Sequence, residues 1–326
     1  MRFKNYLSAL IIIGVLTGCE KDSHKIVPHQ DGETQTIFKH ATQAVNVVFI
    51  GDGYTEADLS GGGKYETDAL QLSDYLFQKH PYSAYESSFN AYIVYAQSNS
   101  SGADPDPTMN VADTKFNCTY NYSGIDRLLV SQNTALCYEY AAKAVTAPDI
   151  IILVVNDEKY GGSGGTITTV STNGASPLIL LHELGHSFGG LADEYADNYV
   201  AQFYPLSQIE FYPNVDATND LAAIKWHYFL GISKYAGVGA YEGGFYRSTN
   251  VWRPEAASIM VALNYEYYNA SSREAIVKKI FSIVGQPFVF QDFVDKDIVG
   301  GLSREVATLE MLPPPAFYTE KLYKLR

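Results

Sequence analysis

The stretch Ser176-Pro-Leu-Ile-Leu-Leu-His-Glu-Leu-Gly-His-Ser-Phe-Gly-Gly190, continued by Leu-Ala-Asp-Glu194, decides how the rest of the chain is read. A serine before a proline marks a helix start, with the hydroxyl as N-cap and the proline at the first helical position, where its missing N–H costs nothing. Leu178 to Leu181 make that start apolar enough to be buried. His182 and His186 are four residues apart, so they share one helix face with Cβ atoms ~5–6 Å apart, and both imidazoles can reach one tetrahedral ion. Glu183 flanks such an ion without ligating it and can take a proton from a bound water. Two histidines without partners on an otherwise apolar helix would be costly to bury, and a shared metal removes that cost.

Gly189-Gly190 ends the helix, because glycine accepts the left-handed backbone that turns the chain back on itself. Asp193 and Glu194 are then the candidate third ligands. Asp193, three residues beyond Gly190, is preferred, which leaves Glu194 for a supporting bond to a histidine or nearby backbone. His227, after Trp226, is the next histidine along the chain and stands as an uncertain ligand. Two neutral imidazoles and one carboxylate around a single Zn2+ still lower the pKa of bound water toward neutrality.

Outward from the helix, strands and helices alternate. Val45–Ile50 reads as a buried strand ending in Gly51-Asp-Gly53, residues 65–79 as a helix stopped by Pro81, and residues 89–96 as a second strand. A polar loop over 98–113 precedes a helix at about 134–145. The unbroken apolar run Ile150–Val155 suits a central strand covered on both faces. The glycine loop Tyr160–Gly165 lacks the Lys-Ser/Thr of a phosphate loop and reads as a turn before a short strand over 166–171. Asp104-Pro-Asp-Pro107 lacks the glycine and terminal glutamate of a calcium loop. The whole is α/β (α+β), with a mixed twisted sheet and no internal repeat. Downstream, Ala257-Ser-Ile-Met-Val261 follows Val251-Trp-Arg-Pro254 and precedes a helix capped by Ser271, with Glu274 three residues on. Met260 resembles the methionine of a Met-turn. Tyr246 and Tyr265 lie near it in sequence and are candidate oxyanion stabilisers.

The chain opens with a short basic start, an apolar run from Leu7 to Leu16 and then Leu-Thr-Gly-Cys19. The run is well short of the ~20 residues that span a bilayer, so it reads as an export signal. LTGC resembles a bacterial lipobox, which makes residues 1–18 a lipoprotein signal peptide and Cys19 the acylated first residue of the mature chain. Residues 19–40 then form a polar tether, and the expected location is the outer membrane or cell surface of a bacterium, held by lipid alone. The formal charge is −13, with no basic cluster, which excludes nucleic acid as a natural partner. Oligomeric state has no signature. Cys118 and Cys137 are in a compartment that permits a disulfide, and spacing alone leaves their pairing open.

Taken together, Phe49-Ile-Gly-Asp-Gly-Tyr-Thr55, Ser101-Gly-Ala-Asp104, Val155-Asn156, Lys159-Tyr-Gly-Gly-Ser-Gly-Gly165, His182 through Tyr195 and Arg253-Pro to Met260 give the chain a clear likeness. It resembles the IgA-peptidase family of bacterial metallo-endopeptidases over roughly residues 45 to 285. The resemblance implies a metzincin-like catalytic domain with zinc on His182, His186 and Asp193, Glu183 as base and Met260 in the Met-turn. It departs from the metzincin pattern HExxHxxGxxH, in that Ala192 occupies the expected third-ligand position and Asp193 falls there only after a one-residue insertion. Some relatives carry a separate N-terminal domain for which this length leaves no room, and cysteines associated with the region after the Met-turn are absent here. Specificity for immunoglobulin A belongs to few members and is not carried over. The expected organisation is one catalytic domain over 41–326, with an upper subdomain about 41–190 and a lower one about 191–326. The expected function is a zinc metallo-endopeptidase acting on extracellular protein or peptide. The alternatives are a zinc amidase or deacylase for glycan or cell-wall substrates, and a non-catalytic surface binding protein with a retained metal site.

Overall fold

The computed structural model describes residues 27–299; the stretch read as an export signal and Cys19 lie outside the described residues. In chain order the strands are β1 (Thr34–Lys39), β2 (Val45–Asp52), β3 (Phe89–Val94), β4 (Cys118–Thr119), β5 (Val130–Ser131), β6 (Ile150–Val155), β7 (Gly162–Ser163), β8 (Thr168–Val170), β9 (Tyr241–Gly244) and β10 (Arg247–Arg253). The α-helices are α1 (Lys64–Gln78), α2 (Thr134–Ala144), α3 (Ser176–Ser187), α4 (Ala270–Ile283) and α5 (Phe290–Lys296).

The main sheet has the order β1-β3-β2-β6-β8-β7. Its four inner strands run parallel, and β1 and β7 close the two edges antiparallel. Side chains on a strand alternate between faces, and here both faces are covered. Val47, Phe49, Ile152 and Val154 point into a core shared with α1, α3, α4 and α5. Val48, Ile50, Ile151, Leu153 and Val155 point the other way, onto α2, Phe116 and Tyr140. The central-strand reading of residues 150–155 therefore holds, since every residue of β6 is buried.

Sequence reading and structure differ at three places, and one question left open by spacing, the state of the two cysteines, is answered. Residues assigned to the tether enter the body of the protein early: His29 N–H bonds the Leu59 carbonyl at 2.9 Å, and β1 pairs with β3. The strand signal in Thr34–Lys39 is weak because it is a solvent-facing edge. Helix α3 starts one residue before Pro177, with Ala175 at the cap position, so Ser176 is inside the helix. Helix α4 is capped not by Ser271 but by Asn269, whose side chain accepts the Ser272 N–H at 3.0 Å. Cys118 and Cys137 are buried free thiols.

The motif Gly51-Asp-Gly53 is a loop anchor. Asp52, fully buried, accepts Thr114 Oγ1 at 2.8 Å, Phe116 N–H at 2.8 Å and Cys118 N–H at 3.0 Å. Gly53 has φ +70, and a Cβ there would fall 2.3 Å from the Gly102 carbonyl oxygen, so the two glycine motifs are backbone packed on backbone. Asp104 and Asp106 accept N–H and hydroxyl donors of their own loop, and Asp106 also accepts the Asn121 side-chain amide. Among the described residues no helix is long and apolar enough to cross a membrane.

Candidate metal centre

Helix α3 lies against β7, β8 and α1, which buries His182 and Glu183 completely and His186 almost so. It ends in a wide reversal through a left-handed glycine: Gly190 has φ +63, Leu191 N–H bonds the Gly185 carbonyl at 2.9 Å and Gly190 N–H bonds the His186 carbonyl at 3.1 Å. The reversal has two effects. It sets the Leu191 carbonyl 2.8 Å from His186 Nδ1, and it returns Asp193 to the helix face that bears the histidines.

His182 Nδ1 faces the Ile259 carbonyl at 2.9 Å. A carbonyl only accepts, so both Nδ1 atoms carry the proton and both Nε2 atoms present lone pairs. Those two Nε2 atoms are 3.2 Å apart, and Asp193 Oδ1 is 3.2 Å from one and 3.4 Å from the other. Ligand atoms ~2.0–2.1 Å from a tetrahedral ion are spaced about 3.3 Å, which is this triangle. Asp193 Oδ1 is buried with no hydrogen-bond partner, as are both Glu183 oxygens. Lone pairs turned toward one another at that distance repel unless a cation lies between them. The donor set therefore fits a divalent metal, with nitrogen and oxygen ligands of the kind zinc takes. It is also the one such group of metal-ligating side chains among the described residues.

The electrostatics separate the three acids of the site. Burial pushes the Glu183 carboxyl up to about 8, His182 opposing and the Asp193 charge reinforcing the rise. Asp193 is buried too, yet His186 and His182 together hold its carboxyl well below the usual carboxylate range. Glu194 is lifted by burial to about 7 despite bonds from Ser258, Asn214 and Asn269.

Glu194 is not part of the ligand triangle. Its Oε1 accepts Asn214 Nδ2 at 2.8 Å and Asn269 Nδ2 at 2.6 Å, and its Oε2 accepts Ser258 Oγ at 2.5 Å. Its N–H bonds the Met260 carbonyl at 2.8 Å. The ligand loop, the 258–260 segment and the start of α4 are thereby joined, and the Ile259 carbonyl that orients His182 is fixed by the same clamp. Met260 is fully buried, and a Cβ at Gly185, between the two histidines on α3, would fall 2.6 Å from its sulfur.

His227 is exposed on a short 3-10 turn, its Nδ1 on the Ile224 carbonyl at 3.0 Å, and it does not join the centre. Tyr246 does, but not as an oxyanion donor: its one hydroxyl proton goes to Asp193 Oδ2 at 2.5 Å. Tyr265 packs on Tyr267, with no contact to the ligand group. Sequence reading missed Asn214 and Asn269, which are remote along the chain and carry no spacing signal. It also missed Gly164, where a Cβ would sit 2.3 Å from Glu183 Oε2. Arg127 likewise went unread, and Tyr195 was quoted only as part of a resemblance; both couple electrostatically to Glu183 or Asp193.

No curated protein matches the chain. A family model does: residues 36–235, well over half of the 326, match IgA Peptidase M64, a span that runs from β1 through both histidines, Glu183 and Asp193. The chain thus belongs to the IgA peptidase M64 family of metallopeptidases.

Proposed function

We propose that the protein is a zinc-dependent metallo-endopeptidase acting on extracellular proteins, with His182, His186 and Asp193 holding the ion and Glu183 as general base. The observation that carries this is the triangle of two Nε2 atoms and one carboxylate oxygen, within 3.4 Å of one another, beside a buried glutamate that no side chain bonds. A zinc ion there supplies a Lewis acid that polarises the scissile carbonyl and acidifies a water molecule. Glu183 takes the proton from that water and passes it to the leaving amine. The Leu191 and Ile259 carbonyls keep both imidazoles in the tautomer that presents Nε2. Met260 in this reading is the Met-turn methionine, supporting the ligand helix from below at Gly185.

The basic start, the apolar run and Cys19 support export and lipid anchoring, which would set the site before proteins outside the cytoplasm. The test is hydrolysis of mixed protein substrates, immunoglobulin A included, by the purified protein with and without a chelator and beside Glu183→Ala. Wild type is expected to cleave and to stop with chelator. Glu183→Ala should keep its metal and lose at least 10²–10⁴-fold in rate. Cleavage of no substrate by metal-loaded wild type would count against the peptidase reading and for a binding protein.

A further inference from the structure

Asp193 has two oxygens and only one faces the histidines. A carboxylate free to rotate about its last bond can offer an ion either oxygen or both, and the coordination number then varies. Here Oδ2 accepts the Tyr246 hydroxyl at 2.5 Å, which turns Oδ1 to the Nε2 atoms. We propose that Tyr246 is the positioning residue of the third metal ligand, holding Asp193 monodentate; this rests on the metallopeptidase reading.

The backbone around Tyr246 is built for that task. Phe245 and Tyr246 have φ of +48 and +64, two consecutive bulky residues in the left-handed region that such residues avoid. Conformations of this kind persist only where their surroundings over-determine them, and they gather at functional sites. The surroundings are on hand. Phe245 N–H bonds the Asp193 carbonyl at 2.7 Å, Tyr246 N–H the Tyr195 carbonyl at 3.0 Å, and Asp197 N–H the Tyr246 carbonyl at 2.9 Å. Three backbone bonds thus lock the turn between β9 and β10 to the segment that carries the ligand. The phenol ring is buried and wedged between Tyr195 and Tyr204, with ring centroids at 5.4 and 5.0 Å. A turn placed only to pack the ring would not need to aim the hydroxyl at the ligand's outer oxygen.

Tyr246→Phe removes the hydroxyl and keeps the ring, so it tests aim apart from packing. Metal affinity is measured by competition with a chelator, and coordination by the visible spectrum of the cobalt-substituted protein, beside the melting temperature of the metal-free forms. The expected result is a 10–100-fold weaker metal affinity, the cost usual for lost ligand support. The cobalt spectrum should shift toward a higher coordination number as Oδ2 is released, with little change in metal-free melting. Equal affinity and an identical spectrum would overturn the proposal while leaving the metal site intact. Wild type that binds no metal at all would overturn the metallopeptidase reading, and this inference with it. Should Tyr246→Phe fold poorly, the cobalt spectrum of wild type decides: a four-coordinate spectrum is expected of a monodentate Asp193, and a higher coordination number would overturn the proposal.

Discussion

Gly164→Ala tests whether Glu183 acts from the position it holds. Gly164 follows the edge strand β7, and its φ lies outside the left-handed region, so alanine suits its backbone. Space is what it lacks. The new Cβ would meet Glu183 Oε2 at 2.3 Å and the Glu183 carbonyl oxygen at 3.3 Å. An ordinary carbon–oxygen contact is ~3.3–3.6 Å, so the carboxylate must withdraw by about 1 Å. Glu183 is fully buried and has nowhere to swing without moving α3 or the edge strand. A misplacement of about 1 Å costs about 10²-fold in rate, or roughly 2.7 kcal/mol in barrier. Glu183 is no ligand in this reading, so the metal should stay. The assay is kcat on any substrate that wild type cleaves, with metal content by elemental analysis, and Gly174→Ala as control because a Cβ there meets nothing within 4 Å. Full-rate hydrolysis by Gly164→Ala would refute the reasoning, since it would show that the base tolerates displacement or is a different residue.

Removing the metal should lower the melting temperature, because at a hundredfold excess over Kd the ion contributes ~2.7 kcal/mol; an unchanged melt after chelation would contradict the triangle as a binding site. Asp297→Ala should destabilise by about 3–5 kcal/mol in chemical unfolding, because it strands the buried Arg273 guanidinium, now paired at 2.9 Å through both Nε and Nη2; a loss under about 1 kcal/mol would speak against it. In wild type, burial alone would raise the Asp297 carboxyl, but His80 and Arg273 hold it well below the usual range. A carboxyl lowered on folding stabilises above its unfolded pKa of about 3.9 and loses that as pH falls toward the folded value, so the difference in stability between wild type and Asp297→Ala should shrink below about pH 4. Burial pushes the Cys137 thiol up to about 12 and raises Cys118 as well, so a thiol reagent should label neither in native protein and both after unfolding without reductant; two silent thiols in the unfolded chain would instead mean a disulfide.

What was legible in the sequence was periodic or local. The apolar run of β6 declared a strand buried on both faces, the i,i+4 histidines declared a shared ligand face, and Gly189-Gly190 declared the reversal that brings Asp193 back. What was not legible was carried by tertiary distance. Asn214 bonds both the Ala192 backbone and Glu194 from twenty residues away, and Asn269 serves Glu194 while capping α4, yet each is one amide in an unremarkable loop. The Tyr246 hydroxyl drew attention for nearness to Met260 along the chain and was given the wrong partner, because sequence proximity does not say which way a hairpin turn aims its side chain. The glycine loop was read as a turn before an edge strand, yet Gly162–Ser163 within it forms the edge strand β7 itself, and Gly164 is small because Glu183 occupies the space.

The two buried glutamates of the site, Glu183 and Glu194, are treated in opposite ways, and the contrast follows from their tasks. Glu194 receives three neutral donors that bind its oxygens in fixed directions, which suits an anchor joining three segments. Glu183 receives no side-chain donor, and burial lifts its carboxyl to about 8. A carboxylate tied by fixed N–H and O–H groups would have to break those bonds each time it moved a proton, whereas a bare one beside a cation changes state at little cost in reorganisation. The positive charge of an ion on His182, His186 and Asp193 would draw the Glu183 pKa back down and return it to the ionised form a base requires. Leaving that one buried acid without side-chain donors makes sense if its partners in the working protein are a metal ion's charge and a water's proton.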